Sequence, residues 1–131
     1  MTNNTSYSQL LLKFSALFAV VGAFLGAHMA GAGSYAFRPI HAHILVVGWL
    51  SLFAWAVYYK VFQPTNSLLT KLHIWSALLG SIGLTVGMWL YVLKPFDLPT
   101  GFTLVFYIGG GGILLGSFIL FFLLTIISKE K

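Results

Sequence analysis

Histidine is the residue type that offers this chain most of its possible chemistry. The 131 residues include four histidines, at positions 28, 41, 43 and 73, and no cysteine. Neutral imidazole is the commonest side-chain metal ligand and an axial ligand of haem iron. The lack of cysteine excludes disulfides, thiolate ligands and iron–sulfur clusters from this chain. Asp97 and Glu130 are the only carboxylates, and both fall outside the apolar runs described below, so we expect no buried acid for a proton relay.

The elements that position these histidines are predicted to be membrane-spanning helices. The chain is 59% hydrophobic and 7% charged, whereas an average soluble domain is about 25% charged. Four apolar runs are each long enough for a bilayer core, which needs about 20 residues. They occupy residues about 10–32, 40–62, 72–93 and 102–127. We therefore predict an all-α, integral membrane four-helix bundle forming a single transmembrane domain. No room remains for a soluble catalytic or nucleic-acid-binding domain, so we expect a lipid bilayer and no nucleic acid as partner.

The distribution of basic residues predicts the orientation. Because cytoplasmic loops retain lysine and arginine, the side with more of them should be cytoplasmic. That side would carry Lys13, Lys60, Lys71, Lys129 and Lys131, against Arg38 and Lys94 on the other. We predict a multi-pass protein, in a bacterial inner membrane, with both termini cytoplasmic. The first run is longer than the apolar core of a secretory signal, so we interpret it as a span. His28, His41 and His43 should then lie near the outer face, and His73 near the inner face.

Small residues at helical spacing predict where helices pack closely. They are Gly22 and Gly26, then Ser76, Gly80, Gly83 and Gly87, and finally Gly109 to Gly112 with Gly116. We interpret them as helix contact faces and predict self-association into a homo-oligomer through them. Two alternatives remain: the glycines clear space for a flat cofactor, or the four-glycine run kinks or unwinds its helix.

Helical spacing also divides the aromatic and histidine side chains into faces. His41 and His43 should point about 200° apart on a helix. If His41 faces the bundle axis, its face includes Leu45, Gly48, Leu52, Trp55 and Tyr59. Tyrosines near helix ends, including Tyr59, are interpreted mostly as an interfacial aromatic belt.

The residues around His41 resemble a known family. The segment Arg38-Pro39-Ile40-His41-Ala42-His43, followed by Gly48-Trp49, resembles the start of the second helix in the catalytic subunit of haem-copper oxidases and nitric oxide reductases. The segment Leu72-His73-Ile74-Trp75, with Gly80 and Gly83 after it, is similar to a later helix of that subunit. The resemblance implies that His41 is a haem iron ligand and that Arg38 pairs with a haem propionate.

The chain also departs from that family. The late His-aromatic-His segment and the histidine triad for copper or iron are missing. We therefore expect no complete oxidase site and name no catalytic residue. The predicted function is binding of haem b through His41, with His28 or His43 as second ligand. It would serve electron transfer, haem handling or gas sensing, with a respiratory-chain protein as possible partner.

Two other functions remain open on the sequence. A copper site would use His28, His41 and His43, with Met29 as a soft ligand for Cu(I). A metal-free structural or assembly subunit of a respiratory complex would use the histidines only for hydrogen bonds to lipid headgroups and water.

Overall fold

The computed structural model describes residues 3–128. Within them, four helices are long and apolar enough to cross a membrane. They are α1 (Asn3–Ala32), α2 (Arg38–Val61), α3 (Ser67–Leu93) and α4 (Thr100–Ile127). Short turns join them, and no strand occurs between residues 3 and 128. This arrangement confirms the all-α four-helix fold of a multi-pass integral membrane protein. Glu130 and the lysines beside it, which contributed to the predicted orientation, lie outside the described residues.

Local signals set the helix ends. Gly33 adopts a left-handed conformation with φ of 59°, and the N–H of Ser34 donates to the carbonyl of Met29 over 3.3 Å. This arrangement is a common glycine C-cap. The side chain of Asn66 accepts from the N–H of Leu69 over 3.1 Å and so caps the start of α3. Polar residues continue α1 and α3 beyond the apolar runs, so these helices begin at Asn3 and Ser67 rather than near residues 10 and 72.

Consecutive helices run antiparallel, which gives the bundle two ends. At the Arg38 end, α1 and α3 finish and α2 and α4 begin; the opposite end is called the Lys60 end. Two serine hydroxyls of α1 form hydrogen bonds to backbone carbonyls of α2. Ser8 donates to the carbonyl of Ala56 over 2.7 Å, and Ser15 donates to the carbonyl of Trp49 over 3.2 Å. Each bond satisfies a buried polar group that the bilayer core could not satisfy.

Glycines bring α3 and α4 into backbone contact. A Cβ placed on Gly80, Gly83 or Gly87 would meet the α4 backbone within 3.0 Å, which confirms these three as a contact face. A Cβ on Gly110 would lie 2.3 Å from the carbonyl carbon of Gly83. The run from Gly109 to Gly112 stays helical rather than unwinding, because Gly110 is held against α3.

The largest core cluster lies toward the Lys60 end and draws on all four helices. It contains Leu11, Leu52, Trp55, Ala56, Tyr59, Ile74, Ala77, Leu78 and Leu124. A smaller cluster of Ile40, Ile44 and Met88 lies toward the Arg38 end. Five residues are predicted to share the helix face of His41. Gly48, Leu52, Trp55 and Tyr59 are buried, and Leu45 is half-buried.

Two segments are π-helical rather than α-helical. Ile44–Ser51 forms a π-helix immediately after the two histidines of α2, and Trp89–Leu93 forms the last turn of α3. In the first, the hydroxyl of Ser51 donates to the carbonyl of Val46, five residues earlier, over 2.9 Å. Such segments are rare and often occur at functional sites. Both lie in the half of the bundle toward the Arg38 end.

Candidate functional site

His41 is held against α1 by a hydrogen bond that determines its tautomer. Its Nδ1 lies 2.8 Å from the carbonyl oxygen of Gly22. A carbonyl only accepts, so Nδ1 carries the hydrogen and donates. In the neutral ring Nε2 then carries a lone pair. The half-buried side chain therefore has one nitrogen fixed by the protein and the other free to act as a ligand atom.

Gly26 provides the space in which this ring lies. A Cβ on Gly26 would lie 3.0 Å from Cε1 of His41 and 3.6 Å from each ring nitrogen. The Gly22–Gly26 pair thus has two roles: Gly22 supplies a carbonyl acceptor, and Gly26 allows the ring to approach α1. The space cleared at Gly26 is filled by the imidazole itself.

His43 and His28 lie at the same end of the bundle but face other directions. His43 donates from Nδ1 to the carbonyl of Pro39 over 2.8 Å, so its neutral ring also has the lone pair on Nε2. His28 is exposed, with ring centroids 6.4 Å from Phe24 and 6.1 Å from Phe37. Among residues 3–128, no three His, Cys, Asp or Glu side chains converge on one point that could hold a metal ion. The structure brings the three histidines to one end without bringing their rings together.

Arg38 is the first residue of α2 and keeps its charge at the surface. Its guanidinium carbon lies 4.4 Å from the centroid of the Tyr35 ring, in a cation–π contact. Arg38 and His41 are three residues apart, so they are neighbours on one side of α2.

An apolar cavity of about 500 Å³ lies beside this site, between α1, α2 and α3. It is lined by Phe14, Leu17, Phe18, Val21, Leu25, Phe37, Ile40, Ile44, Ile82, Thr85, Val86 and Trp89. The hydroxyl of Thr85 donates to carbonyls of its own helix, so the lining presents almost no free polar atom. His41 lies outside this lining, on the neighbouring side of α2, although Ile40 and Ile44 beside it take part.

A second polar site, missed by the sequence interpretation, lies in the core near the Lys60 end. The hydroxyl oxygen of Tyr59 lies 2.6 Å from Nδ1 of His73, and both side chains are 0% exposed. Trp55 packs edge-on against the imidazole at 4.7 Å, and Phe121 lies at 5.4 Å. The aromatic-belt interpretation is therefore wrong for Tyr59. Its position on one helical face with Leu52 and Trp55 was the available signal.

No family model matches this chain, and neither a curated protein nor a solved structure matches it. The resemblance of the Arg38–Trp49 segment to haem-copper oxidases therefore stays a prediction that depends on those residues alone.

Proposed function

We propose that this protein binds haem b in the membrane, with Nε2 of His41 as the atom that would hold the iron. The observation that carries the proposal is the hydrogen bond from Nδ1 of His41 to the carbonyl of Gly22, at 2.8 Å. Histidines that bind metals almost always donate their other N–H to a carbonyl or carboxylate, which fixes the ring and raises its basicity. When bound, haem would supply one-electron transfer or the binding of a small gas.

The residues around His41 fit the polar edge of haem. Arg38 is exposed, carries a planar guanidinium and lies about one turn from His41 on the same side of α2. Such a group suits a propionate carboxylate at the membrane surface. The π-helix that begins at Ile44 supports the same location, since π segments are enriched at functional sites.

His28 and His43 are the candidates for a second residue that would hold the haem. Both lie at the Arg38 end, and His43 already has the same tautomer as His41. Their contacts are with other groups, since His43 bonds to the Pro39 carbonyl and His28 packs beside Phe24 and Phe37. The second ligand therefore requires a side-chain rotation at this end of the bundle or a histidine from a second copy of the chain.

The open glycines of α4 support self-association. A Cβ on Gly109, Gly112 or Gly116 would meet nothing within 4 Å, whereas Gly22 and Gly83 are already used inside the bundle. We propose a homo-oligomer that packs through this face of α4.

We further propose a bacterial inner-membrane location with both termini cytoplasmic. The proposed role of the haem is electron transfer with a respiratory-chain protein.

Absorption spectroscopy of detergent-purified protein from haem-replete cells tests the proposal. We expect a Soret band and, after reduction with dithionite, an α band. His41→Ala should abolish both while leaving the elution profile unchanged. Either His28→Ala or His43→Ala should convert the spectrum from six-coordinate to five-coordinate, which identifies the second ligand. A wild-type protein without haem, or an unchanged spectrum in His41→Ala, would refute haem binding through His41.

Gly26 allows a finer test of how the ligand is positioned. Gly26→Ala places a Cβ 3.0 Å from the ring of His41, so the ring must shift and its bond to Gly22 weakens. We expect haem affinity to fall about 10–100-fold, as when outer-shell partners are removed. Gly31→Ala is the matched control, because a Cβ there meets open space on the same helix. Equal haem affinity in the two variants would contradict the assigned position of the ring.

Elemental analysis of the same preparation separates the alternatives. Stoichiometric copper that is lost in His43→Ala would indicate a copper site instead of a haem site. Absence of any metal, together with co-purification of a larger oxidase, would indicate a structural or assembly subunit instead.

A further inference from the structure

The apolar cavity of about 500 Å³ opens sideways, between α1 and α3. Its inner wall includes Ile40, Ile44 and Thr85, which are buried. Its rim includes Val21 of α1 and Ile82 of α3, which line the cavity and are also exposed on the surface of the bundle. Between the two ends of a membrane-spanning bundle, an exposed apolar side chain faces hydrocarbon. The cavity is therefore open to the interior of the bilayer.

The length of the cavity matches the depth of one lipid leaflet. Its lining extends along α1 from Phe14 to Leu25, a distance of about 16 Å along the helix axis. The hydrocarbon core of a bilayer is about 30 Å thick, so one leaflet is about 15 Å deep. Phe37, just before α2, and Trp89, at the start of the last turn of α3, bring the lining to the Arg38 end. The cavity therefore runs inward from that end through about one leaflet.

The chemistry of the lining favours hydrocarbon as the occupant. Thr85 carries the one hydroxyl in the lining, and this hydroxyl donates to carbonyls of its own helix. A buried water needs about two to four polar partners, and the carbonyls of a quinone need hydrogen-bond donors. The lining offers neither in an accessible position. An empty cavity would lose dispersion contacts along its whole wall, whereas a hydrocarbon chain restores them.

Two cations lie at the end of the bundle from which the cavity runs. Arg38 follows the lining residue Phe37, and Lys94 follows the last turn of α3; both are exposed. Asp97 is the one carboxylate between residues 3 and 128. With neutral histidines, this end therefore has one unit of net positive charge, which attracts anionic lipid headgroups.

We propose that this cavity binds one acyl chain of an anionic phospholipid from the leaflet at the Arg38 end, with the headgroup at the basic surface formed by Arg38 and Lys94. The two π-helical segments support a ligand here. Each begins at a residue of the lining, Ile44 in α2 and Trp89 in α3. Such segments are rare and often occur at functional sites, and these two form parts of two walls of the same cavity.

Photocrosslinking in bilayers tests the occupant. The full chain is reconstituted, without added haem, in phosphatidylcholine that contains some phosphatidylglycerol with a diazirine on its acyl chain. After illumination, mass spectrometry of peptides locates the adducts. We expect adducts on Ile40, Ile44 and Thr85, called the inner adducts, because lipid around the bundle cannot reach these buried side chains. Adducts confined to exposed side chains such as Leu17 would overturn the proposal.

Val21 and Val20 provide a matched pair of variants. Val21 lines the cavity, whereas its neighbour Val20 is exposed and lies outside the lining. Val21→Trp should fill the mouth and lower the inner adducts several-fold, while Val20→Trp should leave them unchanged. Ile82→Trp fills the mouth from the opposite wall and should act like Val21→Trp. Unchanged inner adducts in both Val21→Trp and Ile82→Trp would show that no acyl chain enters through this opening.

The same photoreactive chain on phosphatidylcholine tests the headgroup. We expect phosphatidylglycerol to give about five-fold more inner adducts, as one unit of net positive charge predicts. Lys94→Gln should remove this preference, and Lys60→Gln, at the opposite end, should retain it. Equal labelling by both lipids in the unchanged protein would overturn the anionic headgroup.

Analysis of the lipids that stay with the detergent-purified protein provides a separate measurement. We expect phosphatidylglycerol to be retained, whereas one isoprenoid quinone per chain would overturn the proposal by assigning the cavity to a quinone. Neither measurement requires haem, and none of the variants changes Arg38 or His41. A failure here is therefore distinguishable from a failure of the proposed function.

Discussion

Gly110→Ala probes a close contact between the backbones of α3 and α4. The added Cβ would lie 2.3 Å from the carbonyl carbon of Gly83 and 2.4 Å from the backbone nitrogen of Leu84. Both obstacles are backbone atoms, so no side-chain rotation relieves the clash. Because non-bonded carbons pack about 3.5–4.0 Å apart, α3 and α4 must separate locally by about 1 Å or more.

Another glycine of the same four-glycine run provides the control for the expected loss of stability. Overpacking typically costs about 1–3 kcal/mol, whereas alanine stabilises a helix by up to about 1 kcal/mol relative to glycine. A backbone clash belongs to the upper part of the first range. We therefore expect Gly110→Ala to lower the free energy of unfolding by about 1–2 kcal/mol. Gly111→Ala, whose Cβ lies at an ordinary contact distance of 3.5 Å from the Leu84 side chain, should leave it unchanged or raise it by up to about 1 kcal/mol.

Reversible unfolding in mixed micelles of SDS and a mild detergent, followed by tryptophan fluorescence and far-UV circular dichroism, measures both variants. Exposed substitutions usually change stability by no more than about 0.5 kcal/mol. Agreement of Gly110→Ala and Gly111→Ala within that margin would show that the backbone contact between α3 and α4 does not exist as described.

Three further variants test other contacts in the same unfolding assay. Tyr59→Phe removes the hydroxyl bonded to the buried imidazole and should cost about 1–2 kcal/mol; no loss would show that the bond is absent. Gly33→Ala forces alanine into a left-handed conformation and should cost about 1 kcal/mol. Gly31→Ala, with no such constraint, should be neutral or stabilising, and the same loss in both would contradict the C-cap. Ser8→Ala removes a bond of 2.7 Å between α1 and α2 and should cost about 0.6 kcal/mol, an average value for membrane helices.

The helix count could be predicted from sequence because each turn carries its own local signal. Gly33 and Pro95 cannot continue a helix at low cost, and the apolar runs between such breaks have the length of a bilayer core. The contact face of Gly80, Gly83 and Gly87 was predictable for a similar reason, since small residues at helical spacing permit close backbone approach. The starts of α1 and α3 were not predictable from the apolar runs. An apolar run marks the part of a helix inside the bilayer core, and the hydrogen-bonded helix extends beyond it.

Features that depend on the partner helix could not be predicted. The Gly109–Gly112 run has poor helix propensity, yet it stays helical because Gly110 packs on Gly83. Tyr59 lies near a helix end, where a belt residue is common, but it meets His73 from another helix in the core. The π-helix after His43 has no reliable local signal. In the first two cases, tertiary contact overrides a local tendency.

The two polar sites differ in a way that favours His41 over His73 as a haem ligand. His73 is 0% exposed, is bonded to Tyr59 and is enclosed by aromatic rings, so a macrocycle could approach it only by taking the main core apart. His41 is half-buried, and its bond to Gly22 uses the nitrogen that a ligand histidine usually directs to the protein. It also lies at the end of the bundle that carries Arg38, where a propionate would meet both a cation and the membrane surface. The histidine fixed by a backbone carbonyl is therefore better suited to bind a cofactor than the buried histidine bonded to a tyrosine.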